Sequence, residues 1–206
     1  MKYLRLLIAA PILATSAITT PVLAGPPSPA ASAVRTPSPR SAEDTRLTTE
    51  KAKLAAKLAS AKNRSEAQPI EDELETLRSS TLKPATRLLM RRAQRNLTGE
   101  KTADAVADLG DAIALQKNEE VLWRLRARAR LAAGDAPGAI TDLGEALRLD
   151  SDDAESWSAL SLAEEAQNDP TAALKAWQHV LTLNPNAADG LKRLEKLHLK
   201  AFGRPT

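Results

Sequence analysis

Along residues 86–187 the apolar positions follow two periods at once. At short range they fall at i, i+4 and i+7, as in Ala139, Leu143 and Ala146, which is the spacing of one face of an α-helix. At long range they return with one fixed and much longer period. Leu89, Trp123 and Trp157 coincide in this register, as do the small residues Ala93, Ala127 and Ser161. Further on, Ala105, Ala139 and Ala173 coincide, then Leu109, Leu143 and Trp177. Ala112, Ala146 and Val180 follow, and Leu115, Leu149 and Leu183 close the set. Between the two halves of each copy stand the turn-forming stretches "TGEKTADA", "AGDAPGA" and "QNDPTAA". The third copy ends in "LTLNPN", where Asn184 suits a turn and Pro185 stops a helix. The pattern predicts three helix–turn–helix units, over 86–119, 120–153 and 154–187. One such unit cannot bury its apolar face alone, so the copies must stack.

The long period decides a local ambiguity. In "LWRLRARARLAAGD", residues 122–135, Arg124, Arg126, Arg128 and Arg130 alternate with apolar residues. Taken alone, this reads as a half-buried strand or as a basic patch for nucleic acid or membrane. Its counterparts one period away on either side are helical, so it is a helix. Arg124 and Arg128 then share one face and Arg126 and Arg130 another. Arg126 and Arg130 are expected to pair with Asp104, Asp108 or Asp111 of the preceding helix.

The flanks read differently. Residues 188–202 carry one apolar stripe (Leu191, Leu194, Leu197) and have no second half, which predicts a capping helix before a tail at 203–206. A basic helix lying on anionic lipid is the rival reading. Residues 43–85 predict a helical hairpin, with helices over 46–61 and 69–78 and Pro69 in a first turn. The hairpin is expected to seal the N-terminal end of the stack; a short coiled coil is disfavoured because its heptads are broken. The acidic run "EDELE" complements a helix N-terminus and forms a solvated face. Residues 25–42 are rich in Pro, Ser and Ala, and read as an extended linker or as a proline-rich ligand segment. Residues 1–24 have a basic start (Lys2, Arg5), an apolar run, and Val22 and Ala24 at cleavage-site spacing, which predicts a signal peptide.

The recurring set resembles the tetratricopeptide repeat (TPR) family, and the whole layout is similar to small exported bacterial proteins in which a hairpin precedes such repeats. The resemblance implies an all-α, right-handed superhelical solenoid. Two places depart from the family pattern. A usual leucine is Arg92 and Arg126 in the first two copies and returns as Leu160, and the closing proline is Lys117 and Ser151 before Pro185. The resemblance also implies a concave groove lined by the first helices. Its places are Arg87, Met90, Arg91 and Gln94, then Val121, Arg124, Leu125 and Arg128, then Glu155, Ser158, Ala159 and Leu162, with Lys192 and Lys196 on the cap. The family's clamp for a C-terminal carboxylate is missing, because Met90, Gln94, Leu125, Glu155 and Ala159 stand at its places. Arg87, Arg91, Arg124 and Arg128 are expected either to contact an acidic segment of a partner protein, since arginine forks onto carboxylates, or to be solvated or paired internally. Glu165 adds an acidic end to that groove. Trp123, Trp157 and Trp177 are expected to pack between helices.

Composition narrows the function. Removal of residues 1–24 would take away Lys2 and Arg5 and lower the formal charge from +3 to +1, so net charge gives no argument for nucleic acid. The absence of cysteine excludes disulfides, thiolate metal sites and cysteine nucleophiles, and in an exported chain it favours a bacterial envelope. The two histidines, His179 and His198, have no second ligand at metal spacing. No nucleophile elbow, phosphate loop or metalloprotease motif occurs. "NRS" and "NLT" match the glycosylation acceptor, but Asn96 falls in an expected helix. No catalytic residue, metal or cofactor is expected, nor any membrane insertion after signal cleavage. The expectation is a monomeric periplasmic adaptor for another protein, with a holdase-like assembly factor or an accessory subunit of an envelope enzyme as alternatives.

Overall fold

The computed structural model describes residues 39–203; the expected signal peptide and most of the expected linker lie outside them. Among the described residues the chain is nine α-helices without a strand. The hairpin is α1 (Pro39–Ala59) and α2 (Arg64–Ser80). Three pairs follow: α3 (Pro84–Thr98) with α4 (Thr102–Leu115), α5 (Glu120–Ala132) with α6 (Ala136–Leu149), and α7 (Ala154–Ala166) with α8 (Pro170–Leu183). A last helix, α9 (Gly190–Phe202), packs on α8. The second helices α6 and α8 start where the sequence supplies a cap and a first-turn proline, whereas α4 has neither. Asp135 and Asp169 accept from the backbone N–H groups of Gly138 and Ala172, with Pro137 and Pro170 in the first turns.

The repeat-defining residues build the core. Ala105, Ala139 and Ala173 are fully buried, as are Ala93, Ala127 and Ser161, so paired helices approach closely at small side chains. Leu109, Leu143 and Trp177 fill the neighbouring places, with Ala112, Ala146 and Val180 a turn further on. Trp123 and Trp157 are half-buried, and their indole N–H groups donate to the carbonyls of Lys117 and Ser151 at 2.8 and 2.9 Å. Trp177 donates to the Gly190 carbonyl at 2.9 Å and so ties the cap to the last repeat. A Cβ at Gly190 would fall 2.9 Å from Leu181 Cδ2, so any larger residue there would push the Leu181 side chain aside.

The hairpin departs from expectation. Helix α1 begins at Pro39, inside the expected linker, and α2 begins at Arg64, capped by Asn63, which accepts from Glu66 N–H at 3.0 Å. Pro69 therefore lies inside α2, where its missing N–H leaves the exposed Ser65 carbonyl without a helical partner. Neither hairpin helix packs on α3 or α4, so among the described residues the hairpin does not seal the N-terminal end of the stack. The reason lies in the repeat register: Glu71, Glu75 and Arg78 stand one period before Ala105, Leu109 and Ala112. A helix with charges at those places cannot join the apolar stack. As a result Leu88, Arg91 and Arg95 are exposed, whereas Leu122, Leu125 and Ala129, their counterparts in the next repeat, pack on the repeat before it.

The turns inside the repeats share one backbone signature. Glu100, Gly134 and Asn168, at the same place in successive repeats, have φ of 58°, 81° and 64°. Only the middle copy has the residue that this left-handed place favours. In the first copy the glycine is Gly99, one place too early, with φ −89°. Glu100→Gly is expected to stabilise the protein by about 0.5–1 kcal/mol, seen as a thermal midpoint raised by roughly 1–4 °C; an unchanged or lowered midpoint would count against strain at this turn.

Candidate functional site

The arginines that the sequence places along the first helices divide into held and free. Arg126 lies near Gly110 of the preceding helix but pairs with none of its acids. Its Nε and Nη2 donate to both oxygens of Asp142, at 2.9 and 2.7 Å, in the following helix α6. Arg130 joins the same carboxylate at 3.0 Å and donates to the Gly138 carbonyl at 2.8 Å. Asp142 is 1% exposed, so a bare charge there would be costly. The first repeat repeats the device: Arg92 and Asn96 converge on Asp108, with Arg92 Nε at 2.8 Å and Asn96 Nδ2 at 2.9 Å. In the third repeat the same two places are Leu160 and Ala176. The departure from the leucine pattern is therefore a paired exchange within each repeat, Arg with Asp or Leu with Ala.

Arg124 corrects a groove expectation more strongly. It is 2% exposed and lies between Glu75 of α2 and Asp153, the N-cap of α7. Its Nη2 donates to Glu75, and its Nε sits 3.0 Å from Asp153 Oδ2. The two carboxylates more than offset burial and keep the guanidinium firmly charged. Val121 beside it is buried too, and so closed to a ligand.

Arg124 belongs to a charged clasp that binds the hairpin to the repeats. Arg78 of α2, 5% exposed, donates to Asp150 at 3.1 Å and to the Asp152 carbonyl at 3.3 Å, and lies 3.2 Å from Asp153. Lys51 of α1 reaches Glu120 at 3.1 Å and Asp150 at 3.4 Å. Burial pushes the Glu120 carboxyl above its ordinary range, with Lys51 pulling the other way. Burial also acts on Asp150, but there Arg78 and Lys51 prevail and hold it below the ordinary range.

The clasp runs along a row set by the repeat period. Gln116, Asp150 and Asn184 are the C-caps of α4, α6 and α8, the same place in each repeat. Gln116 accepts from Lys83 N–H at 2.6 Å and donates to the Thr81 carbonyl at 3.3 Å. Asp150 takes Arg78 and Lys51, and Asn184 donates to Glu71. Asn186 donates to the Ala61 carbonyl at 2.6 Å. Helix α2 thus lies along the edge where second helices end and first helices begin. The "EDELE" run, expected to be solvated, supplies two of its contacts, Glu71 and Glu75.

What stays open is narrower than expected. Arg91, Gln94, Arg128 and Glu155 are exposed, as is Leu162 at 48%. Arg87 is exposed while its Nε donates to the Leu82 carbonyl at 2.8 Å. Arg91 and Arg95 carry no ion pair or hydrogen bond from their side chains, and shallow clefts of about 470 and 320 Å³ run beside them along α3. The groove pattern does not mark Arg95; the missing seal explains why it is free. Ala159 is buried. Glu165, expected in the acidic end of the groove, instead docks the cap through Arg193 at 3.1 Å and Lys200 at 2.5 Å.

The chain matches no family model and no curated protein. Among solved structures it is similar to the Sgt2 TPR domain from Aspergillus fumigatus, with TM-score 0.54 and 21% identity over 60% of this chain and 87% of that one. It is similar to MamA, with TM-score 0.54 and 14% identity over 78% and 85%. The first TPR of Spaghetti (RPAP3), bound to an HSP90 peptide, SRMEEVD, aligns with TM-score 0.53 and 21% identity over 55% and 90%. The chain has the tetratricopeptide-repeat fold. No cluster of His, Cys, Asp and Glu that could hold a metal occurs among the described residues, and no helix among them is long and apolar enough to cross a membrane.

The paired exchange makes a direct prediction. Arg126→Leu leaves the buried Asp142 with Arg130 alone and is expected to cost about 1–3 kcal/mol. Arg126→Leu with Asp142→Ala installs the pair of the third repeat and is expected to recover most of that loss. Denaturant unfolding of both singles and the double measures the coupling; strictly additive losses would contradict a paired exchange.

Proposed function

We propose that the chain is an exported, non-catalytic adaptor that brings proteins together in the bacterial envelope, holding an acidic segment of a partner at its open N-terminal end. One observation carries this reading. Arg91 and Arg95 stand free beside the exposed Leu88, while Arg78, Arg92, Arg124, Arg126, Arg130 and Arg193 are each held by a carboxylate. Two adjacent guanidinium groups next to apolar surface suit an amphipathic acidic segment, because arginine forks onto carboxylates and its plane stacks on apolar groups. The peptide-bound RPAP3 domain supports peptide binding by this fold. The missing carboxylate clamp argues for an internal acidic segment over a free C-terminus. Export rests on the signal-like residues 1–24.

Capture from envelope extract with the intact chain and with an Arg91→Glu, Arg95→Glu version tests the binding end. Both residues are exposed, so the two proteins are expected to melt alike, and the double variant to lose the partner at least tenfold. Equal retention of the same partner by both proteins would exclude the α3 end. N-terminal sequencing of the cellular protein is expected to begin at Gly25 in the periplasmic fraction; a chain retaining Met1 in the cytoplasm would contradict export.

A further inference from the structure

The hairpin meets the repeats in an unusual way. Its apolar residues, Leu54, Leu58, Ala67 and Leu74 with Ile70 and Leu77, form a cluster closed within the hairpin itself. Toward the repeats it offers instead the stripe Glu71, Glu75 and Arg78, at i, i+4 and i+7 on one face of α2. The repeats answer with Asn184, Arg124, and Asp150 with Asp153. A cleft of about 630 Å³, lined by Leu47, Leu77, Gln116 and Glu120, remains between α1 and the edge of the first two repeats. The hairpin is joined to the solenoid by the link at 81–83, and α1 packs on α8; the contacts of α2 itself with the repeats are ion pairs and polar hydrogen bonds. Ion pairs are exchangeable in a way that a shared apolar core is not, because leaving charges are resolvated on both sides.

We propose that α2 is a displaceable occupant of this polar track, and that the track receives from a partner protein an amphipathic helix of the same charge pattern: two acidic residues one turn apart and a basic residue three places on. The track discriminates by position. A carboxylate at the Glu75 place meets the buried Arg124, while a cation at the Arg78 place meets Asp150 and the buried Asp153, and either charge reversed would stand beside its like. The hairpin keeps these charges paired until the partner helix arrives, and its closure lowers the apparent affinity by the fraction of molecules that are open. This goes beyond the adaptor reading and uses residues outside the α3 end.

The test uses the full chain and, as probe, a fluorescent synthetic peptide of residues 63–81. A Lys51→Ala, Glu71→Ala, Glu75→Ala version loosens the hairpin and leaves the track of the repeats intact. Anisotropy is expected to show the peptide binding this version at least tenfold more tightly than the parent chain. A peptide with Glu75→Lys is expected to lose that gain. Hydrogen exchange of α5–α8 in the loosened version reports whether the repeats stay folded. Equal binding by parent and loosened chains with α5–α8 still protected overturns the proposal. So does loss of protection in α5–α8 together with the hairpin, which would make the hairpin an integral part of one cooperative unit. Neither outcome bears on capture through Arg91 and Arg95.

Discussion

Asp153 is the point on which the charged architecture turns. It is fully buried, caps α7 by accepting from Glu155 N–H and Ser156 Oγ, and faces both Arg78 and Arg124. A carboxylate taken from water costs several kcal/mol unless its partners are close and well placed. Two guanidinium groups from different helices meet that need, and so α2, α5 and the α6–α7 turn are fixed to one another. Glu75 and Asp150 then satisfy the far sides of the two arginines. The hairpin has its present seat because this site needs a cation that the repeats alone do not fully provide.

The repeats show the same chemistry in a simpler form. A place that takes leucine elsewhere in the fold becomes arginine when its neighbour across the pair becomes aspartate, as in Arg92 with Asp108 and Arg126 with Asp142. Exchanging a buried ion pair for well-packed apolar groups is close to neutral in energy. The solenoid accepts either solution, and the small residues Ala93, Ala127 and Ser161 maintain the helix spacing in both.

The repeat period makes the three helix pairs and the cap legible, since every set of coinciding residues reports the same contact three times. Trp177, Leu143 and the buried alanines are visible for that reason. The clasp is harder to see because each of its pairs occurs once and joins distant parts of the chain, as between Glu75 and Arg124 or Glu71 and Asn184. Pattern alone does not distinguish Arg124 from Arg128, which share a helix face, although the first is buried and the second exposed. One signal in the sequence does point to the clasp. Glu71, Glu75 and Arg78 stand at the buried apolar places of the repeat register, which excludes α2 from the stack and requires polar partners for it elsewhere. The same signal leaves the N-terminal end open, with Leu88, Arg91 and Arg95 in solvent.

The claim that charge, centred on Arg78, seats the hairpin is tested most directly by native-state hydrogen exchange of an Arg78→Met variant. The account predicts that amides of α1 and α2 lose protection by roughly a hundredfold or more, corresponding to about 3 kcal/mol for a broken buried pair, while those of α5–α8 keep theirs. Hairpin protection unchanged by the substitution would contradict it.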